Sequence, residues 1–482
     1  MVQRKSIHLL FVVALVLAPS FAFAGDAEDE ALREEVRALR EKVQELEARL
    51  DGVPTKSDLD LEIDNALGKV GDAPLANVRA PGILSLAISG QVRVQIEDKL
   101  NADFDNDMGD ANEFVRLRTR VTFDARVTEA LRALITLQDS RFFGDSHGTL
   151  GNNEGVDLKE GYLDIRNLIW DRSTIRIGRQ AMSYGDQRLI STLDWSEVGR
   201  AWDGFRVMLE GDALTVHLFL TRIDERFLTD GQDESEDFAG IYAMFKPSEG
   251  HEADLYLLFR RNQDSDEVIG EDGMGGHEKL WTLGGRYKGR SGNFDYVAEA
   301  AWQFGDHAED DISAYMAEVG AGYTFADTAW TPRIGISVIA ASGDDDPTDG
   351  DRGTFDPLYT FGHFYLGYID NVARKNIISP RFRVTASPDK GVKLGVDVHY
   401  FQLMNEEDAL YAASGKVKRA GDPTGKADRS VGYEVDLWVK ATLLERLKVW
   451  AGYSRFIPGD FIDDTGESDA VDFFYLQLTL DF

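Results

Sequence analysis

The chain contains no cysteine. Disulfide bonds, thiolate chemistry, cysteine-ligated metals and a lipidated N-terminal cysteine are therefore excluded. Beyond its first two dozen residues it has no apolar run of the ~20 residues that a membrane-spanning helix needs. Basic residues are scarce: 52 Lys and Arg stand against 85 Asp and Glu, a net charge of −33. Nucleic acid requires a cationic footprint, so no nucleic-acid partner is expected. Enzyme signatures are missing too. There is no G-x-S-x-G, no H-E-x-x-H and no phosphate loop. The eight histidines are scattered, and no nucleophile is paired with a base. The reading is of a non-enzyme without cofactor or resident metal.

What is present begins with an export signal. Arg4 and Lys5 precede an apolar core from Ile7 to Ala18, too short to span a bilayer, and Ala22-Phe23-Ala24 offers a small-x-small cleavage site. Residues 1–24 thus read as a signal peptide. Residues 25–52 read as a helix with a heptad seam: Val36, Val43 and Leu50 at a, Leu32, Leu39 and Leu46 at d. The charge pairs Glu35/Arg40 and Lys42/Glu47 fall at g and the following e, which favours parallel self-association. A homo-oligomer through residues 27–50 and a lone periplasmic helix are both open. Gly52 and Pro54 end the seam, and residues 53–84 form a polar linker.

From residue 85 to 482 the period changes to two. Phe114 to Val121 alternates almost residue by residue, as does Lys393 to Val398. About eighteen such runs begin near 86, 112, 130, 157, 172, 203, 213, 236, 251, 278, 292, 311, 330, 374, 390, 429, 445 and 469. Their connections alternate. Short ones include Leu209–Asp212, Pro247–Gly250, Gly289–Gly292 and Ser387–Lys390. Long ones cover roughly 99–111, 142–156, 180–202, 224–235, 263–277, 343–373, 404–428 and 457–468, with a brief one near 305–310. Short inner turns and long outer loops are the habit of outer-membrane barrels. The fold class expected is all-β, a transmembrane antiparallel barrel in the Gram-negative outer membrane, facing lipid and lipopolysaccharide. An even strand count puts both ends, and the N-terminal helix, in the periplasm. The last strand places Phe474, Leu476, Leu478, Leu480 and Phe482 on one face. A terminal aromatic on such a strand is similar to the signal read by the barrel assembly machinery.

If apolar residues face lipid, their alternates face inward. That places Arg116, Arg118 and Arg120 in one row inside, together with Arg166, Arg176, Arg206, Arg381 and Arg383. Guanidinium groups hold carboxylates and phosphates by paired hydrogen bonds and keep their charge. Inward acids, Glu160, Asp164, Asp397, Glu434 and Asp436, oppose them, so an anion track and a balanced wall are both open. The acidic run Gly343 to Asp351 lacks the ligand spacing of a calcium loop and reads as solvated or bridged to lipopolysaccharide.

The stretch from Gly178 to Val207 concentrates Arg179, Arg188, Arg200 and Arg206 around turn formers and two tryptophans, between two strand-like runs. It reads as a long loop aiming cations into a shared space. Its elements GRQ, YGDQRLI, LDW, GR and WDGFRV, in that order, resemble the alginate-export porin family. So does the segment from Ala341 that carries a Gly-Asp pair, a T-F-D-P run, Tyr365 and Gly367. The resemblance implies a barrel of about eighteen strands whose arginine-lined lumen conducts a polyuronate outward; the function expected here is passive conduction of an anionic solute or polysaccharide. Arg179, Arg188, Arg200 and Arg206 match the motif directly. Two other readings stay open: a structural anchor reaching the cell wall through the helix, and a cation-favouring general porin.

Overall fold

The computed structural model describes residues 76–78, 83–106, 112–143, 155–227 and 233–482. The signal peptide, the heptad helix and almost all of the linker lie outside the described residues. No described helix is long and apolar enough to cross a membrane, which says nothing of spanning strands.

Eighteen long strands form one antiparallel sheet: β1 (Ser85–Leu100), β2 (Asn112–Arg126), β3 (Leu131–Phe142), β4 (Asp157–Arg166), β5 (Ser173–Gln180), β6 (Trp202–Glu210), β7 (Leu214–Phe227), β8 (Asp233–Ser248) and β9 (His251–Asn262), then β10 (Glu278–Ser291), β11 (Phe294–His307), β12 (Asp310–Thr324), β13 (Arg333–Ala341), β14 (Ile377–Asp389), β15 (Val392–Leu403), β16 (Ser430–Leu443), β17 (Leu447–Pro458) and β18 (Val471–Asp481). Each pairs with its neighbours in chain order, and β18 pairs back onto β1 from Gln91↔Asp481 to Leu100↔Asp472. The sheet is closed. Closure satisfies the ladder donors and acceptors without water, the condition for crossing hydrocarbon. At the seam Gly90 and Phe482 exchange backbone hydrogen bonds of 2.7 and 2.9 Å. A Cβ on Gly90 would come within 2.5 Å of the Phe482 ring, so the glycine makes room for the terminal aromatic.

The period-two pattern sorts side chains as the sequence predicts. Along β10, Leu280, Thr282 and Arg286 are buried, while Trp281, Leu283 and Tyr287 are exposed. The outer face carries Phe205, Leu220, Leu255, Trp302, Val319 and Ile336, each at least half exposed. In water so large an apolar surface is a liability; against acyl chains it is satisfied.

Two details differ from the sequence reading. β7 runs on to Phe227 and β8 starts at Asp233, so the connection expected over 224–235 shrinks to 228–232. The run Asp224-Glu225-Arg226 carries no apolar alternation, yet the backbone ladder continues through it. One short helix, α1 (Asp460–Thr465), lies in the last long loop with Phe461 and Ile462 buried. Its 6 residues are too few to show a helical period.

Candidate functional site: the loop-filled lumen

A barrel of this strand number leaves an aqueous channel unless something enters it. Two long loops enter. The 181–201 loop joins β5 to β6, and the 342–376 loop joins β13 to β14. Both are too apolar for a solvated loop. Met182, Tyr184, Leu189, Ile190 and Trp195 of the first are buried in one core with Phe355, Tyr365, Leu366, Tyr368 and Ile369 of the second. Their backbones also pair. Ser191 N–H donates to the Tyr359 carbonyl and Tyr359 N–H to the Leu189 carbonyl, both at 2.9 Å. Arg200 donates to the Tyr359 and Thr360 carbonyls at 2.7 and 2.8 Å, so it ties loop to loop. Burial lowers its guanidinium to about 10.

The far end of the 181–201 loop is clamped by the wall. Asp194 meets Arg118 at 3.0 Å and Arg120 at 2.8 Å, both from β2. Arg93 of β1 and Arg118 also donate to the Asp194 and Ser196 carbonyls, and Arg93 to that of Trp195. Burial opposes the charge of Asp194, but Arg118, Arg120 and Arg93 outweigh it and hold the carboxyl well below the usual range. Arg116, next in the row, pairs with Glu97 and with Glu197 of the same loop at 3.3 and 3.2 Å. The expected vertical row is therefore inside the barrel, and it grips a loop.

The near end of the loop is held by the opposite wall. Arg188 contacts Glu318 of β12 at 2.6 Å, Glu299 of β11 at 3.2 Å and Asp186 at 3.0 Å. Arg286 of β10 binds Asp186 and Asp254. Arg374, from the other loop, reaches Glu318 and donates to the Arg188 carbonyl. β11 and β12 stand across the ring from β2, so the 181–201 loop crosses the lumen from wall to wall. The 342–376 loop docks on a third sector: Ile369 N–H donates to Glu434 of β16 at 2.9 Å. Trp195, His363, Tyr368, Trp450 and Tyr475 pack ring to ring beside it.

The remaining candidates divide. Arg176 pairs with Asp164 and lies 3.7 Å over the Tyr162 ring. Arg206 is buried beside the Tyr184 hydroxyl. Arg166 shares the inward parity of Asp164 near the short-turn end. Arg381 and Arg383 face inward, Arg383 paired with Asp397 and lying 4.3 Å over Phe364, and Arg381 donating to the Phe364 carbonyl. Arg179 departs from the expectation. It stands on the outer face with Ile175 and Ile177, 2.7 Å from Asp203, and does not point into the shared space. Arg176 and Arg179 are three residues apart, and at period two they cannot share a face. Sequence reasoning passes over Arg93, Asp194, Arg286 and Arg374. Arg93 is visible by alternation between Val92 and Val94, and Asp194 lies in the L-D-W element.

Residues 84–475 match the model of a family described as alginate export. The chain belongs to the alginate export family. Three solved structures from Pseudomonas aeruginosa share the fold at low identity. The outer membrane protein OprD is 12% identical, with 85% of this chain and 97% of that one covered at a TM-score of 0.56. OccK11 (OpdR) is 12% identical, with 82% and 96% covered at 0.56. OpdQ is 13% identical, with 84% and 99% covered at 0.55. No curated protein matches the sequence. This member of the alginate export family is thus an outer-membrane β-barrel channel, not an enzyme.

Proposed function

We propose that the barrel conducts an anionic solute or polysaccharide, with carboxylates as the groups its lumen recognises. One observation carries this reading: the arginine row binds carboxylates already. Arg118 and Arg120 of β2 converge on the single carboxylate of Asp194, while Arg93 of β1 holds the backbone carbonyls of the same turn. Two cations on one carboxylate, with the guanidinium of Arg93 beside them, is more positive charge than a single ion pair needs. Asp194 stands where the carboxylate of a passing chain would sit, and Glu197 does the same for Arg116. A polymer bearing one carboxylate per unit can exchange with these acids step by step, with no site holding it too tightly. In the third sector, Arg381 and Arg383 of β14 and Lys440 of β16 lie within 4.3 to 6.0 Å of the Phe364 ring. Lys440 is also 4.1 Å from the Trp450 ring. Flat rings beside cations suit the apolar face and the acid of a uronate sugar together.

The test is ion current through the full-length protein in a planar bilayer. A short oligouronate is expected to block the current at concentrations where a neutral oligosaccharide of equal length does not. Equal block by both, or by neither, counts against the reading. A channel that never conducts would favour the structural-anchor alternative.

A further inference from the structure

The outer face near the long-loop end carries a charge pattern that the lumen does not explain. Six residues on six consecutive strands stand directly opposite one another in register: Arg179, Asp203, Arg222, Asp237, Arg261 and Lys279. All share the lipid-facing parity of their strands. The outward row one step nearer the periplasm is apolar, with Ile177, Phe205, Leu220, Ala239, Phe259 and Trp281 again mutually opposed. The charged row lies toward the long-loop ends of its strands, the ends that meet headgroups in an outer-membrane barrel, next to an apolar row that includes Phe205, Phe259 and Trp281.

Its balance is unusual for this chain. The row holds four cations and two acids, in a protein whose net charge is −33. Asp203 binds Arg179 at 2.7 Å. Asp237 is shared, by Arg222 at 3.0 Å and by Arg261. These side chains remain partly exposed, and Lys279 is exposed. The row ends in acids, Asp306 of β11 standing opposite Lys279 and Asp311 of β12 opposite Asp306. Farther round, among the described residues, Asp472, Asp98, Glu113 and Asp139 take the outward positions near the long-loop ends of their strands. The outward arginines there, Arg141 and Arg455, each pair with an adjacent acid.

We infer that the arc from β5 to β10 is a docking site for the phosphorylated headgroup of lipopolysaccharide. Guanidinium groups bind phosphate in two-pronged fashion. The apolar row next to it meets the acyl chains of the same lipid. The acidic remainder of the rim repels phosphate unless a divalent ion intervenes, so the lipid is held on one side of the barrel.

The experiment is native mass spectrometry of the full-length protein in detergent with a chelator present, titrated with lipid A. Chelation removes the divalent bridges, so only cation-driven binding remains. Bisphosphorylated lipid A is expected to bind at least about tenfold tighter than its dephosphorylated form. The double substitution Arg222→Gln with Arg261→Gln should lose that preference, and Lys279→Gln should weaken it. Arg455→Gln on the far rim should leave it unchanged. Equal binding of the two lipids, full retention by the double variant, or equal loss in Arg455→Gln overturns the inference. The lumen reading stands or falls separately, since none of these residues faces the channel.

Discussion

Asp194→Asn isolates the clamp at the far end of the crossing loop. The change keeps the shape and removes the charge. Arg118 is 1% exposed and Asp194 26%. Removing one partner of a fully buried pair costs about 3–5 kcal/mol. The partial exposure of Asp194 and the backbone carbonyls that Arg93 and Arg118 still reach bring this to about 2 kcal/mol. That is about a 30-fold shift in favour of a released loop. The guanidiniums of Arg118 and Arg120, no longer balanced by that carboxylate, then face the open lumen. Single-channel recording is expected to show higher conductance and a stronger preference for anions than the wild type. Unchanged conductance and selectivity in a folded variant would refute the idea that Asp194 both anchors the loop and occupies an anion site.

Arg116→Ala combined with Arg118→Ala should lower anion selectivity, read as a smaller reversal potential in a salt gradient. Glu318→Gln leaves Arg188 and Arg374 facing each other in a buried site. It should cost about 3–5 kcal/mol, seen as a lower temperature for the folded-to-unfolded band shift on a gel. Gly178 has φ +127°, and a Cβ there would meet the Gly161 carbonyl oxygen at 2.3 Å. Gly178→Ala should therefore destabilise the β4–β5 pairing by about 1–3 kcal/mol in urea unfolding. Because the folded carboxyl of Asp194 lies below its unfolded range, its contribution is present above pH ~4 and is lost only as pH falls through the depressed value. Loop-dependent conductance should thus hold steady from pH ~7 to about 4.5; a transition in that window would contradict the assignment.

The strands are legible because their signal is local. Alternation needs only a few consecutive residues, and each expected start falls close to the observed one. The inward row of Arg116, Arg118 and Arg120 follows from the same parity. What that row touches does not follow. Asp194 lies 74 residues along the chain from Arg120, and no periodicity links a wall to a loop. Arg374 sits in an irregular segment and is invisible for the same reason. Arg179 is misplaced when the motif is taken as one unit, although strand parity assigns it to the outside. The apolar content of both long loops is the sign that they turn inward, with Leu189 and Ile190 in one and Leu366 and Ile369 in the other. A solvated loop has no use for such residues.

The most direct test of the whole account is the reversal potential of the wild-type channel under a salt gradient across a planar bilayer. A lumen whose conducting surface is set by guanidinium groups predicts a potential displaced toward the anion. A potential displaced toward the cation would mean that the acids paired with those arginines, or the acidic outer loops, govern passage, and the account would be wrong.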